Sequence, residues 1–110
     1  MSDFTTAEEN SLLQATTITH VAAFNGEPGN GGTEVGTNRG AITWSAAASG
    51  QKAASNTPQV NCPAGANVTW VGYYDASSGG SLRGKDQLAA AEVFGAAGVL
   101  NVTGIVLDLT

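Results

Sequence analysis

Residues 67–74 read NVTWVGYY, and the fold turns on whether this stretch is a strand. Its β-branched and aromatic residues suit a pleated, half-buried surface. Alternation puts Val68, Trp70 and Tyr74 on one face, and Thr69, Val71 and Tyr73 on the other. Turn-forming sequences bracket it, Pro63-Ala64-Gly65 before and Ser77-Ser78-Gly79-Gly80 after. The stretch is the strongest strand signal in the chain.

The same pattern continues in both directions. Thr19–Phe24 is a β run, and Ala41–Ala46 sets Ile42 and Trp44 against Thr43 and Ser45. Lys52–Ser55 and Gln59–Cys62 are weaker strands divided by Asn56-Thr57-Pro58. Ser81–Arg83 and Glu92–Phe94 read as short strands around a loop. The closing VLNVTGIVLDLT alternates Ile105, Leu107 and Leu109 with Val106, Asp108 and Thr110, the period of two of a strand with one buried face. No helix of crossover length lies between these runs, which excludes a parallel α/β sheet. The expected fold is all-β: a small antiparallel β-sandwich, jelly-roll-like or Ig-like, of about seven or eight strands.

A short helix precedes the strands. Thr5 or Thr6 caps it, and Glu8 and Glu9 follow near the positive end of its dipole. It ends by about Ala15, where Thr16, Thr17, Ile18 and Thr19 favour extended backbone. Ala7, Leu12, Leu13 and Ala15 are the apolar residues available to dock it. The chain therefore divides into an N-terminal arm and helix, residues 1–15, and one β-sandwich domain, residues 16–110.

The stretch AAFNGEPGNGGTEVGTNRGA, residues 22–41, holds six of the fifteen glycines. A phosphate-binding loop needs its glycines between a strand and a helix, with a lysine or a helix N-terminus facing the phosphate. No Gly-Lys-Ser/Thr follows here, the next element reads as a strand, and Glu27 and Glu34 repel phosphate. The run is a wide connection between two strands, with Pro28-Gly29 suited to a type II turn.

Composition narrows the function. The 110 residues are 42% hydrophobic, too apolar for a disordered chain, and only 12% charged. The net charge is −5, and the four basic residues, Arg39, Lys52, Arg83 and Lys85, do not form a stripe. Nucleic acid and anionic membranes are therefore poor partners. No apolar run approaches the roughly 20 residues of a membrane span. No basic, then apolar N-terminal stretch marks a signal peptide. One cysteine, Cys62, rules out an internal disulfide.

Chemistry is sparse. His20, the one histidine, sits in a strand with no Gly-x-Ser-x-Gly elbow elsewhere, so a triad is not expected. One histidine and one cysteine fall short of a structural zinc site. Glu27, Glu34, Asp75 and Asp86 lie in loops without the spacing of a calcium loop and read as solvated acids. Cys62 has no base or helix start beside it and reads as a buried, inert thiol. Trp44, Trp70, Tyr73, Tyr74, Phe24 and Phe94 are expected to supply most of the core. Tyr73 and Tyr74 face opposite ways, so one of them is a candidate for a surface or an interface. No enzyme activity and no cofactor are expected.

The order of motifs resembles small virion proteins of tailed bacteriophages. THVAAFNGEPGNGGTEVGTNRGAITW resembles their Thr-His-Val strand, acidic-Pro-Gly turn, Glu-Val corner and strand ending near Thr-Trp. CPAGANVTWVGYYDASSGGSL resembles their Pro-Ala-Gly turn, Val-Thr strand and aromatic-Asp-Ala turn. AEVFGAAGVLNVTGIVLDL resembles their closing pair of strands. Asn25-Gly26 and the longer, helix-prone Lys85–Ala91 depart from that pattern.

The resemblance implies a non-enzymatic β-sandwich in the virion, made in the host cytoplasm. The function expected from it is capsid decoration, on the outside of the major capsid protein lattice. A minor tail, tail-fibre or baseplate module, with or without carbohydrate binding, is the alternative. Expected partners are the major capsid protein or tail proteins, with self-association, a trimer being the form that capsid three-fold positions favour. Phe4, Tyr73 and Tyr74 are the expected interface residues, Phe4 on an arm that orders on docking.

Overall fold

The opening stretch forms a strand over its whole length, β5 (Asn67–Tyr74). The computed structural model, which describes residues 5–108, builds the other elements around it. On one side β5 pairs antiparallel with β1 (His20–Phe24), and on the other with β6 (Leu82–Val93). β2 (Gly40–Ala41) adds to the far edge of β1, giving a sheet in the order β2-β1-β5-β6. Two antiparallel ribbons complete the strands. β3 (Gln51–Ala53) pairs with β8 (Val106–Asp108), and β4 (Gln59–Cys62) pairs with β7 (Gly98–Asn101). Three pairings are nested, β3 with β8, β4 with β7 and β5 with β6, which is jelly-roll-like. The expected small antiparallel all-β fold is present.

The core lies between the inner face of the sheet and the ribbons. Val21 is opposite Tyr73 and Ala23 is opposite Val71, so these four share one face. They pack with Val60 and Cys62 of β4, Leu100 of β7, and Ile18, Ile42, Val102 and Ile105. Val68 joins them, although simple alternation puts it opposite Val71. The reason is a bulge. Val68 pairs with Glu92 but Trp70 pairs with Gln87, so Leu88–Ala91 all stand across from Thr69. Such an insertion re-aims the strand's side chains.

The core is also less aromatic than expected. The largest fully buried side chains are Val21, Val60, Val68, Val71, Pro28 and Pro58. Trp44 and Trp70 are half-buried. Trp44 lies at the core margin, where its Nε1 donates to the Ile18 carbonyl at 2.9 Å. A buried indole needs such a partner for its N–H, whereas valine packs without one.

The outer face of the sheet carries Ala22, Phe24, Gly72, Tyr74 and Leu82. A Cβ on Gly72 would meet Phe24, Leu82 and Tyr74 at 3.0–3.2 Å. The glycine-rich connection covers this face. Asn30 N–H donates to the Glu27 carbonyl at 3.0 Å and Gly29 has φ 77, completing the type II turn at Pro28-Gly29. Gly32 packs so closely that a Cβ would fall 2.2 Å from the Gly26 carbonyl oxygen. The glycines thus let a long loop lie flat on a sheet.

Other strand boundaries differ from the sequence pattern. Of Ala41–Ala46, only Ala41 stays in the sheet ladder. Thr43 and Ser45 instead turn to the opposite ribbon, with Ser55 N–H donating to the Thr43 carbonyl and Ser45 N–H to the Ala53 carbonyl. The loop expected between Ser81–Arg83 and Glu92–Phe94 is instead continuous strand, because pairing with β5 overrides the local helix preference of Lys85–Ala91. The closing segment is two strands divided at Gly104, whose φ is 70. Alternation persists after it, with Ile105 buried and Val106 exposed; Leu109 and Thr110 lie outside the described residues.

α1 (Thr6–Gln14) is capped by Thr5, whose hydroxyl accepts from Glu8 N–H at 3.3 Å. Of its expected docking residues only Leu13 is buried, while Ala7, Leu12 and Ala15 are exposed. The other anchors are polar. Asn10 Oδ1 accepts from Gly50 N–H at 3.0 Å, and Gln14 Oε1 accepts from the buried Lys52 Nζ. Asn10 and Gln14 are one turn apart, so they reach the β3 hairpin together.

Candidate functional site

Two concave surfaces flank the β5–β6 hairpin, and each is backed by one of the paired tyrosines. The first is a polar groove of about 330 Å³ between the glycine-rich connection and the Ser77–Gly79 turn. Arg39 organises it. Its Nε and Nη2 donate to Glu34 Oε2 and Oε1 at 3.1 and 3.0 Å. Its Nη1 donates to the carbonyls of Ala76 and Gly79 at 3.1 and 2.8 Å. The guanidinium also lies 3.8 Å from the centre of the Tyr74 ring. Planar donors and a stackable face allow one arginine to do all of this. The Glu34 carboxylate pushes the Arg39 pKa above its ordinary value. Tyr74 is parallel to Phe24, with ring centres 6.2 Å apart.

The second groove, about 440 Å³, lies between α1, β6 and β8. Leu12, Leu13, Ile18, Val106 and Leu107 give it an apolar lining, and Arg83, Lys85 and Asp86 also line it. Tyr73 forms part of this wall from the core, and its hydroxyl donates to Asp86 Oδ2 at 2.8 Å. Burial pushes the Tyr73 phenol well above its usual range, and the Asp86 carboxylate adds to that shift. Leu12 and Val106 are each 47% exposed.

The four acids expected in loops do not converge, and Asp86 lies not in a loop but in β6, paired with Val71. Glu27 binds Lys85 Nζ at 2.8 Å and Asn30 Nδ2 at 3.0 Å. Glu34 binds Arg39. Asp75 accepts from Ser81 N–H at 2.8 Å and from Arg83 at 3.1 and 3.3 Å. Asp86 accepts from Tyr73. The Lys85 ammonium holds Glu27 below the usual carboxylate range, and the Ser81 amide does the same for Asp75, aided by Arg83. Among the described residues no three of His, Cys, Asp and Glu group as a metal site would require.

The remaining candidates are equally embedded. His20 Nδ1 lies 2.8 Å from Thr19 Oγ1. Cys62 is buried at the end of β4, paired with Gly98 of β7, and burial pushes its thiol pKa up. Of the expected interface residues, Tyr73 is buried and Tyr74 half-buried under Arg39, while Phe4 lies outside the described residues. Sequence reasoning assigned no role to Arg39 or Lys52. The available signal was scarcity: in a chain with four cations, an arginine five residues after Glu34 in a glycine-rich loop has few reasons to be there except pairing.

Comparison with known proteins gives one family. The family model described as Podophage GP4 fiber I protein gp80 matches residues 4–110, nearly the whole chain. No curated protein and no solved structure matches. Among the described residues no helix is long and apolar enough to cross a membrane.

Proposed function

The chain belongs to the podophage GP4 fiber I family, a family of phage structural proteins, and from that premise we propose that it is a non-enzymatic fibre subunit of the virion. The family match across residues 4–110 carries this reading. The shape supports it: the molecule measures 46 × 26 × 26 Å, long for its size. The side-chain chemistry supports it too. Glu27, Glu34 and Asp75 each tie one surface loop to another segment through a cation, which is a structural use of charge. Partners on this reading are neighbouring virion proteins and further copies of the chain. Neither tyrosine presents an open ring face on which a sugar would stack, so the proposal includes no glycan site at Tyr73 or Tyr74.

Copy number and position in the particle test it. Gold-labelled antibody against the chain should mark fibres, and the protein should co-purify with tails and fibres at low copy number. Label spread evenly over tailless heads, at a copy number matching the capsid lattice, would select capsid decoration on the major capsid protein instead.

A further inference from the structure

The loop acid that binds Lys85 also holds an asparagine followed by glycine. We propose that Asn30-Gly31 is a site of spontaneous deamidation, and that Asn25-Gly26, the same dipeptide five residues earlier, is protected by the fold. The chemistry needs a free backbone amide beside an asparagine side chain able to turn towards it. Gly31 supplies the amide. The turn's backbone bonds run from Asn30 N–H and Gly32 N–H to the Glu27 carbonyl, and Gly31 N–H makes none of them. A Cβ on Gly31 would meet nothing within 4 Å, and both residues are exposed, so ring closure has only the exposed Asn30–Glu27 hydrogen bond to give up.

Asn25 is held differently. Its N–H donates to the Thr33 carbonyl at 3.0 Å, and its Oδ1 accepts from Thr33 N–H at 2.8 Å. This two-bond bridge fixes both backbone and side chain. The next residue, Gly26, is pressed against Gly32. Ring closure at Asn25 would have to break the bridge that closes the loop.

In the step itself, the Gly31 nitrogen loses its proton to solvent base and bonds to Asn30 Cγ. The Cγ–Nδ2 bond breaks and ammonia leaves. Water then opens the cyclic imide at either carbonyl, giving aspartate or isoaspartate. Lys85 Nζ is the competing nucleophile, because Glu27 bridges it to Asn30. That ion pair aims Nζ at Glu27 Oε2, 2.8 Å away, while Asn30 is held at Oε1, which favours Gly31. The product replaces the Asn30–Glu27 hydrogen bond with two facing carboxylates, and the new one competes for Lys85. The clamp between the glycine-rich loop and β6 would loosen as the particle ages.

The test is incubation of the full chain at mildly alkaline pH, followed by intact mass and peptide mapping. The expected result is conversion at Asn30 several-fold faster than at Asn25, with Asn25→Gln leaving that rate unchanged and Asn30→Gln removing the early product. Three results would overturn the proposal: Asn25 converting first or equally fast, no conversion at Asn30 while a short peptide of the same sequence converts, or a mass loss of one ammonia with Lys85 and Asn30 joined.

Discussion

Arg39 shows most directly how single residues hold this molecule together. Its side chain is only 8% exposed, yet its charge is balanced by Glu34 and its remaining donors reach two turn carbonyls. Removing it leaves Glu34 unpaired and bares Tyr74. Breaking a largely buried pair from one side costs more than the pair contributes net, because the remaining charge loses its partner. Arg39→Ala should therefore destabilise the fold by about 2–4 kcal/mol, seen as a lower denaturation midpoint at unchanged slope. Arg39→Lys should recover little, since an ammonium cannot make the fork to Glu34 and also cover the ring. A lysine variant as stable as the parent would show that charge alone matters here. Glycines in the same loop make the complementary point. Gly29 is needed for its φ of 77 and Gly32 for lack of space, two physical demands that look identical in sequence.

Elements were legible where packing and sequence period agree. β5, the helix cap at Thr5 and the Pro28-Gly29 turn all follow from local rules. α1 shows where such rules stop. Leu12 and Leu13 are equivalent in sequence, but Leu13 is buried and Leu12 is 47% exposed. Leu13→Ala should cost about 2–4 kcal/mol, whereas Leu12→Ala should stay within about 0.5 kcal/mol, by thermal or chemical unfolding. The docking of α1 through Asn10 and Gln14 left no apolar period to read. β6 was illegible for a related reason. As an edge strand it is exposed along most of its length, so no alternation marks it, and only its ladder with β5 makes it extended. The face switch at Val68 depends on a bulge in that partner strand, which β5's own sequence does not encode. The turn before β6 gives a pH test. Asp75 titrates below its ordinary value in the folded state, so its bonds to Ser81 and Arg83 are complete above the unfolded pKa and disappear as pH falls through the lowered one. Hydrogen exchange at the Ser81 amide should accelerate over that acidic window, and Asp75→Asn should flatten the response. An unchanged Ser81 profile in the variant would mean that another group controls the turn.

At the scale of the whole molecule, the nested pairings make the chain's end a structural keystone. β8 is the last described strand, and it pairs with β3, more than fifty residues earlier in the sequence. Ile105 just before it is buried in the core and its carbonyl accepts from Ala54 N–H at 3.0 Å. β3 in turn carries Lys52, the anchor for Gln14 of α1. Removing residues 105–110 would thus open the core at Ile105, unpair β3 and loosen α1 together. Loss of one buried isoleucine alone costs about 2–5 kcal/mol, comparable with the lower end of total domain stability, about 5 kcal/mol. That truncation should leave the chain largely unfolded at room temperature, seen as lost β signal in circular dichroism and lost hydrogen-exchange protection. Removing residues 1–15 should be far milder. It takes away one buried leucine, returns Lys52 Nζ to water and breaks no strand pairing, so a single cooperative transition at lower temperature should remain. If the two truncations proved equally damaging, α1 would have to be counted as part of the core rather than as a layer laid over β3. If the C-terminal truncation melted only locally, the three nested pairs would be independent units and not one closed sandwich.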